Sequence, residues 1–427
     1  MIGAVAALAG VLVGIVGGFF RLFLFTADLI RMDILAWASV LGIVGFLAVV
    51  ALASACVVAA RLIVLRVPRV SGSGIQDVEA VWRGEIPATA WQVIPAKFVG
   101  GLLSIGAGLA LGREGPTVHL GSAIGSEVGR RLRLDDRDVR ILQTALGGAG
   151  LGVAFNAPIG GALFVFEEVT KSVRLRLTLV TLIGTATAVA VSRLILGDAP
   201  EFDVRAIGPP PGWTLLVFLA FGIATGIVGA GYNMLILFAL GVADRLRRVP
   251  PIAQAATVGA VAGLLLWFDP LIATGGGDQL AQTVLGGGIA INALVVYLLV
   301  RFLLGPLSYA SQTPGGLFAP LLAVGALWGA AFAGILGVFL NVPGLDGTTF
   351  AVVGMATLFA AIVRAPFTGI VLIVEMTAAT TLWVPMLAAA FGAVITTTVL
   401  RNEPIYDSLG RRMIASLGLR DPRAVGT

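Results

Sequence analysis

Long apolar runs recur from one end of the chain to the other with almost no charge inside them. Uncharged stretches occupy residues 35–60, 141–166, 213–243, 249–268, 279–300, 302–345 and 376–400. Most of them reach the roughly 20 residues that an α-helix needs to cross a bilayer. None alternates apolar and polar positions as barrel strands do, and lipid offers backbone groups no water to bond. The pattern therefore predicts spanning helices and an all-α, polytopic integral membrane fold. The first apolar run, from Met1 to about Phe20, has no basic segment ahead of it and no clear cleavage site, so it reads as a mature helix rather than a secretory signal.

Composition agrees: 58% of the 427 residues are hydrophobic and 12% are charged, where a soluble domain carries about 25%. The net charge of +5 does not point to nucleic acid, because the basic residues form short clusters between apolar runs. These are Arg61, Arg66 and Arg69; Arg130, Arg131, Arg133, Arg137 and Arg140; Lys171, Arg174 and Arg176; and Arg245, Arg247 and Arg248. That is the bias of cytoplasmic loops, while the Pro-rich loop at 198–212, with three acids and one Arg, belongs to the opposite face. Cys56 is the only cysteine and lies in an apolar run, so no internal disulfide is available and an inert buried thiol is expected.

The chain also repeats itself. Asn156-Ala157-Pro158-Ile159-Gly160-Gly161, followed by Glu167, matches Arg364-Ala365-Pro366-Phe367-Thr368-Gly369, followed by Glu375, at a spacing of 208 residues. Upstream, Pro116, Gly121 and Gly125 share their spacing with Pro320, Gly325 and Gly329, 204 residues on. Two matches in one order at near-equal spacing indicate a duplicated transporter, whose ion site lies where the halves meet. Such sites are lined by broken helices whose free N–H groups and positive dipole ends attract anions. Three Gly/Pro-marked segments are candidates: Gly72-Ser73-Gly74-Ile75-Gln76, Gly112-Arg113-Glu114-Gly115-Pro116 and Gly315-Gly316-Leu317-Phe318-Ala319-Pro320.

Glu114 stands out, with no other acid between residues 98 and 126 and only Arg113 beside it. An acid at that depth is functional by default. Burial opposes its ionised form while helix-end amides and Arg113 favour it, so it can exchange a proton as an anion comes and goes. A structural pair with Arg113 is disfavoured, because adjacent residues on a helix do not face each other. Glu167 and Glu168 follow 26 uncharged residues and point to different sides of their helix; pattern alone does not say which braces structure and which meets water. His119, the only histidine, reads as a packed or helix-end residue before a proton relay. No His/Cys cluster supports a metal, and the glycines around 147–152 lie in a membrane run with no strand ahead of them, so neither metal nor nucleotide is expected.

At these segments the sequence resembles the CLC family of chloride channels and transporters, through GSGIQ, GREGP, GGLFAP and the late Pro404-Ile405-Tyr406, in the family's order over nearly the whole chain. The resemblance implies a CLC fold of two inverted-topology repeats and a single transport domain over 1–427, with related halves at about 1–200 and 213–405. It implies that the hydroxyls of Ser73 and Tyr406 and the amides of Leu317 and Phe318 hold a central chloride, with an outer one on the GREGP backbone at Arg113 and Gly115. Glu114 would be the outer gate, and Glu168 the inner acid that takes the cytoplasmic proton in the family's antiporters. Glu79 and Lys97 match a buried acid and base. Ser73 resembles the chloride-selective members, and Gln76 departs from the Pro that usually ends the first motif.

The expected activity is chloride/proton antiport without a cofactor, by a homodimer in lipid, in a bacterial inner membrane. The alternative on the same fold is a passive chloride channel, which an acid at 168 disfavours. An intramembrane enzyme using Glu114 and Glu168 lacks a nucleophile, metal or cofactor motif. Only about twenty residues follow Tyr406, too few for an appended regulatory domain, which needs at least ~50.

Overall fold

The computed structural model describes residues 2–418 apart from Arg247, Thr274 and residues 338–344. Arg247 of the last basic cluster, the 338–344 part of the apolar run ending at Leu345, Met1 and residues 419–427 thus lie outside the described residues. The first half supplies α1 (Ile2–Ser39), α2 (Ile43–Arg66), α3 (Ile75–Arg83), α4 (Val93–Gly106), α5 (Glu114–Arg131), α6 (Asp136–Phe155), α7 (Pro158–Phe164) and α8 (Leu175–Leu196). The second supplies α9 (Leu215–Arg245), α10 (Pro251–Phe268), α11 (Asp278–Leu285), α12 (Ile291–Ala310), α13 (Phe318–Gly337), α14 (Gly347–Val363), α15 (Pro366–Thr377), α16 (Trp383–Val399) and α17 (Ile405–Ser416). Among the described residues, eight helices are long and apolar enough to span a bilayer, and no strand forms beyond two isolated bridges. The chain is a multi-pass integral membrane protein.

The first helix runs well past Phe20, through four charges, Arg21, Asp28, Arg31 and Asp33, that an apolar-run reading leaves out. Three of them are neutralised in place: Arg21 meets Glu201 at 2.6 Å and the Val153 carbonyl at 3.0 Å, and Arg31 meets Asp28 at 2.7 Å and the Gly106 carbonyl at 3.1 Å. Pairing of this kind lets charge persist inside a spanning helix.

Equivalent elements of the two halves are built alike. Asp135 caps α6 by accepting from the Asp138 amide at 2.7 Å, and Asp346 caps α14 by accepting from the Thr349 amide at 2.8 Å. Both helices end on a left-handed residue, Asn156 (φ 54°) and Arg364 (φ 68°), followed by Ala-Pro, which starts α7 and α15. Gly121 and Gly125 bring α5 against α6 as Gly325 and Gly329 bring α13 against α14.

A third repeat match, not evident in the sequence, sets the short helices. Gly74 and Gly277 both sit at φ 92°, a left-handed conformation that favours glycine, and start α3 and α11. Lys97 donates to the carbonyls of Val70 (3.0 Å) and Gly72 (2.6 Å), and Arg301 to those of Ile272 (3.0 Å) and Gly275 (3.2 Å). One buried base per half thus fixes a Gly-rich turn before a short helix.

The aligned glutamates Glu167 and Glu375 cap each other's half. Glu167 accepts from the amides of Phe367 (3.1 Å) and Thr368 (2.6 Å) at the start of α15. Glu375 accepts from the amides of Ile159 (3.1 Å) and Gly160 (2.7 Å) at the start of α7. An orphaned buried amide costs about 1–3 kcal/mol, so this exchange ties the two halves together at their helix starts.

Candidate functional site

The three Gly/Pro-marked segments meet deep in the protein. Gly72 donates to the Thr313 carbonyl at 3.1 Å and accepts from the Gly315 amide at 3.0 Å. Gly112 and Gly316, which the repeat makes equivalent, exchange two hydrogen bonds of 2.8 Å. The N-terminal ends of α3, α5 and α13 are therefore stitched into one region at the axis relating the halves, and the aromatic rings of Phe318, Phe359 and Phe155 wall it.

Glu114, the first residue of α5, is completely buried, and its Oε1 accepts from the Phe318 amide at 2.6 Å. The amide of Ala319 is directed at the same carboxylate. Glu114 thus places its charge on the positive end of α13, where such an end binds an anion. Gly112 and Gly316 frame it so closely that a methyl on either would overlap a carboxylate oxygen. Because Gly316 has an ordinary φ, Gly316→Ala should fold but displace the carboxylate. A shift near 1 Å can cost on the order of 100-fold in rate. Chloride-driven proton uptake by the reconstituted variant should fall on that scale with its melting temperature kept, and unchanged uptake would refute the framing.

Ser73 and Tyr406 are buried beside this seat, brought together because α17 packs on α3. Their hydroxyl oxygens are within reach of each other, but neither makes a well-formed hydrogen bond among the described residues. Buried hydroxyls left this way suit an anionic ligand. Gly115 abuts Ser73 so closely that a Cβ there would overlap its Oγ, and Leu317 is the buried residue ahead of the α13 amides. Tyr309, which sequence reading missed, accepts from the Ser73 amide at 3.4 Å, and Gln76 reaches its hydroxyl. The departure from Pro at position 76 therefore has a local partner.

The Arg113 side chain turns away from the seat. It pairs with Glu201, meets Asp278 at 3.3 Å and donates to the Ala154 carbonyl at 3.0 Å, while Glu201 also holds Arg21. What Arg113 offers an anion is backbone and long-range charge. The three partners come from distant segments, and the only signal for Glu201 was the acidity of its loop.

Glu168 lies on the other side. The helix α7 ends in a π turn, Val165–Val169, closed by Thr170 N to the Val165 carbonyl at 2.9 Å; such turns frequently mark functional sites. The wider turn sends the Glu167 carboxylate to its cap and leaves Glu168, 2% exposed, outside it; both residues border a cavity of about 540 Å3 on the basic face, lined also by Lys171, Arg364 and Pro404. Glu79, Lys171 and Asp407 are the charges around it, and Tyr406 lies within electrostatic reach of both Glu168 and Glu114. His119 packs on Gly74 with Nε2 3.3 Å from Asp77, a packed position. Glu79 meets Arg83 at 3.3 Å. Among the described residues, no group of His, Cys, Asp and Glu could hold a metal.

Helix ends from two inverted repeats, converging on a buried carboxylate held by backbone amides, define a transporter of the broken-helix class. The chain belongs to the voltage gated chloride channel family, the CLC proteins, whose profile matches residues 55–398. It is 36% identical over 427 residues to the H(+)/Cl(-) exchange transporter ClcA of Vibrio vulnificus (strain YJ016), covering 97% of this chain and 90% of that one. ClcA of Salmonella typhi is 36% identical over 354 residues, 82% of this chain and 75% of its own. Among solved structures, a slow cyanobacterial Cl-/H+ antiporter superposes with a TM-score of 0.93 at 29% identity, over 97% of this chain and 98% of that one. A CLC-type fluoride/proton antiporter, at 21% identity and a TM-score of 0.79 over 95% and 96% of the two chains, shares the fold.

Proposed function

We propose that this protein is a chloride/proton antiporter of a bacterial inner membrane, working without a cofactor as a homodimer in lipid, each subunit with its own pathway. Each subunit acts as a single transport domain of two related halves. The observation that carries the reading is the fully buried Glu114 carboxylate on the Phe318 amide at 2.6 Å, a charge seated where an anion is held. Protonation removes that charge and frees the amides for chloride, so chloride and the deprotonated side chain compete for one seat. Chloride would be held by the amides of Leu317 and Phe318 and the hydroxyls of Ser73 and Tyr406, with a further anion on the backbone at Arg113 and Gly115. Glu168 serves as the inner proton acceptor, on the cytoplasmic side by the placement of the basic loops. The kinship with H(+)/Cl(-) exchangers supports the same activity.

The purified protein in sealed liposomes is expected to drive protons uphill when given a chloride gradient alone. Chloride flux with no accompanying proton movement would instead make it a passive channel and leave Glu168 a structural acid.

A further inference from the structure

A second basic site lies away from the anion pathway. A cavity of about 340 Å3 opens on the cytoplasmic face where α3, α6 and α8 meet, bordered by Arg137, Arg140, Arg174 and Arg176 around the half-buried Trp82. Arg176 pairs with Asp138 at 2.6 Å. Among the described residues, Arg137, Arg140 and Arg174 have no carboxylate partner; the nearby Asp135 is occupied in capping α6 and Asp136 is its neighbour.

The placement of these cations runs against helix electrostatics. Arg137 and Arg140 lie in the first turns of α6, Arg174 is the residue preceding α8 and Arg176 is its second. The N-terminal end of a helix carries partial positive charge and disfavours cations, and a general excess of cytoplasmic arginine does not require them at two such ends around one hollow. At α6 the acids Asp135, Asp136 and Asp138 offset that charge, so the conflict rests at the uncapped start of α8, where an anion removes it. The guanidinium fork matches phosphate oxygens in bidentate fashion, and the start of α8, which has no side-chain cap, adds free amides.

The surroundings select the carrier of that phosphate. Along Val173-Arg174-Leu175-Arg176 apolar and basic residues alternate, with Val173 76% and Leu175 77% exposed, the pattern of a segment lying in a membrane interface. Trp82, Ile141 and Leu177 supply the apolar wall of the cavity. We propose that this cavity binds a phosphate group carried by the headgroup of an anionic phospholipid in the cytoplasmic leaflet. Trp82 belongs to the helix that begins beside Ser73, and Arg174 follows the π turn bearing Glu168, so the bound lipid braces the inner side of the transport site.

The test compares the detergent-purified full-length protein with phosphatidylglycerol, phosphatidylcholine or inorganic phosphate added, reading melting temperature and, by native mass spectrometry, retained lipid. Phosphatidylglycerol should raise the melting temperature by several degrees where phosphatidylcholine does not. The double variant Arg137→Gln/Arg174→Gln should lose that shift and retain an order of magnitude less lipid. The control Arg130→Gln/Arg131→Gln, on the same face but outside the cavity, should keep both. Equal protection by inorganic phosphate, lost in the double variant, would assign the site to soluble phosphate and overturn the lipid. An equal shift in wild type and double variant, or no shift at all, would overturn the site altogether.

Discussion

Glu114→Gln is expected to abolish chloride-driven proton uptake, by about 100-fold or more, while chloride continues to pass down its gradient. Glutamine keeps the length and shape of the side chain, and its amide oxygen can still accept from the Phe318 N–H that now meets Oε1 at 2.6 Å. It carries no charge, however, and a charge-assisted hydrogen bond is roughly twice as strong as a neutral one. The side chain therefore competes poorly with chloride for the α13 amides, and it has no proton to give up at the end of the cycle. Chloride flux should also lose its dependence on pH, since no titrating group remains in the seat. Proton and chloride fluxes measured in the same liposome preparation across a pH series check both statements. A variant that still pumps protons would remove Glu114 from the cycle.

How much of this was legible in the sequence depends on whether the chemistry survived the duplication. Ala157-Pro158 and Ala365-Pro366 kept their residues, so the repeat could be read from letters alone. The turn before α3 and its mate before α11 could not, because Ser73 faces Gly276, and Lys97 faces Arg301; only the shared φ of 92° and the matching carbonyl bonds reveal them. That drift also falls on the residues proposed to work. In the repeat, Glu114 stands opposite Phe318 and Glu168 opposite Met376, so a nearly symmetric scaffold carries the two acids proposed to bind protons in one half and amide donors and apolar wall in the other. The outer cluster of Arg21, Arg113, Glu201 and Asp278 was illegible for another reason: its members come from four separate segments, and no local pattern predicts that they converge. Ser73 and Tyr406, some 330 residues apart, were paired by family resemblance and not by spacing.

Glu167 and Glu168 are the sharpest case, because sequence periodicity gave them opposite faces and no assignment, and it is here that a substitution separates coupling from stability. Glu168→Gln should lower proton transport by about 100-fold while sparing chloride flux and the melting temperature, since the residue borders the inner cavity among the Glu79, Lys171 and Asp407 charges and caps no helix. Glu167→Ala should do the reverse. Its carboxylate is held by Phe367 N, Thr368 N and the Thr368 hydroxyl, and removing it leaves the buried Thr368 amide at the start of α15 unsatisfied, at a cost of about 1–3 kcal/mol. A lower melting temperature with the proton-to-chloride ratio intact is the expected signature, and the matching cap variant Glu375→Ala should show the same at the start of α7. If instead Glu167→Ala uncoupled protons while Glu168→Gln left them moving, the two roles would be exchanged, and the π turn would be aiming the wrong carboxylate at the cytoplasm.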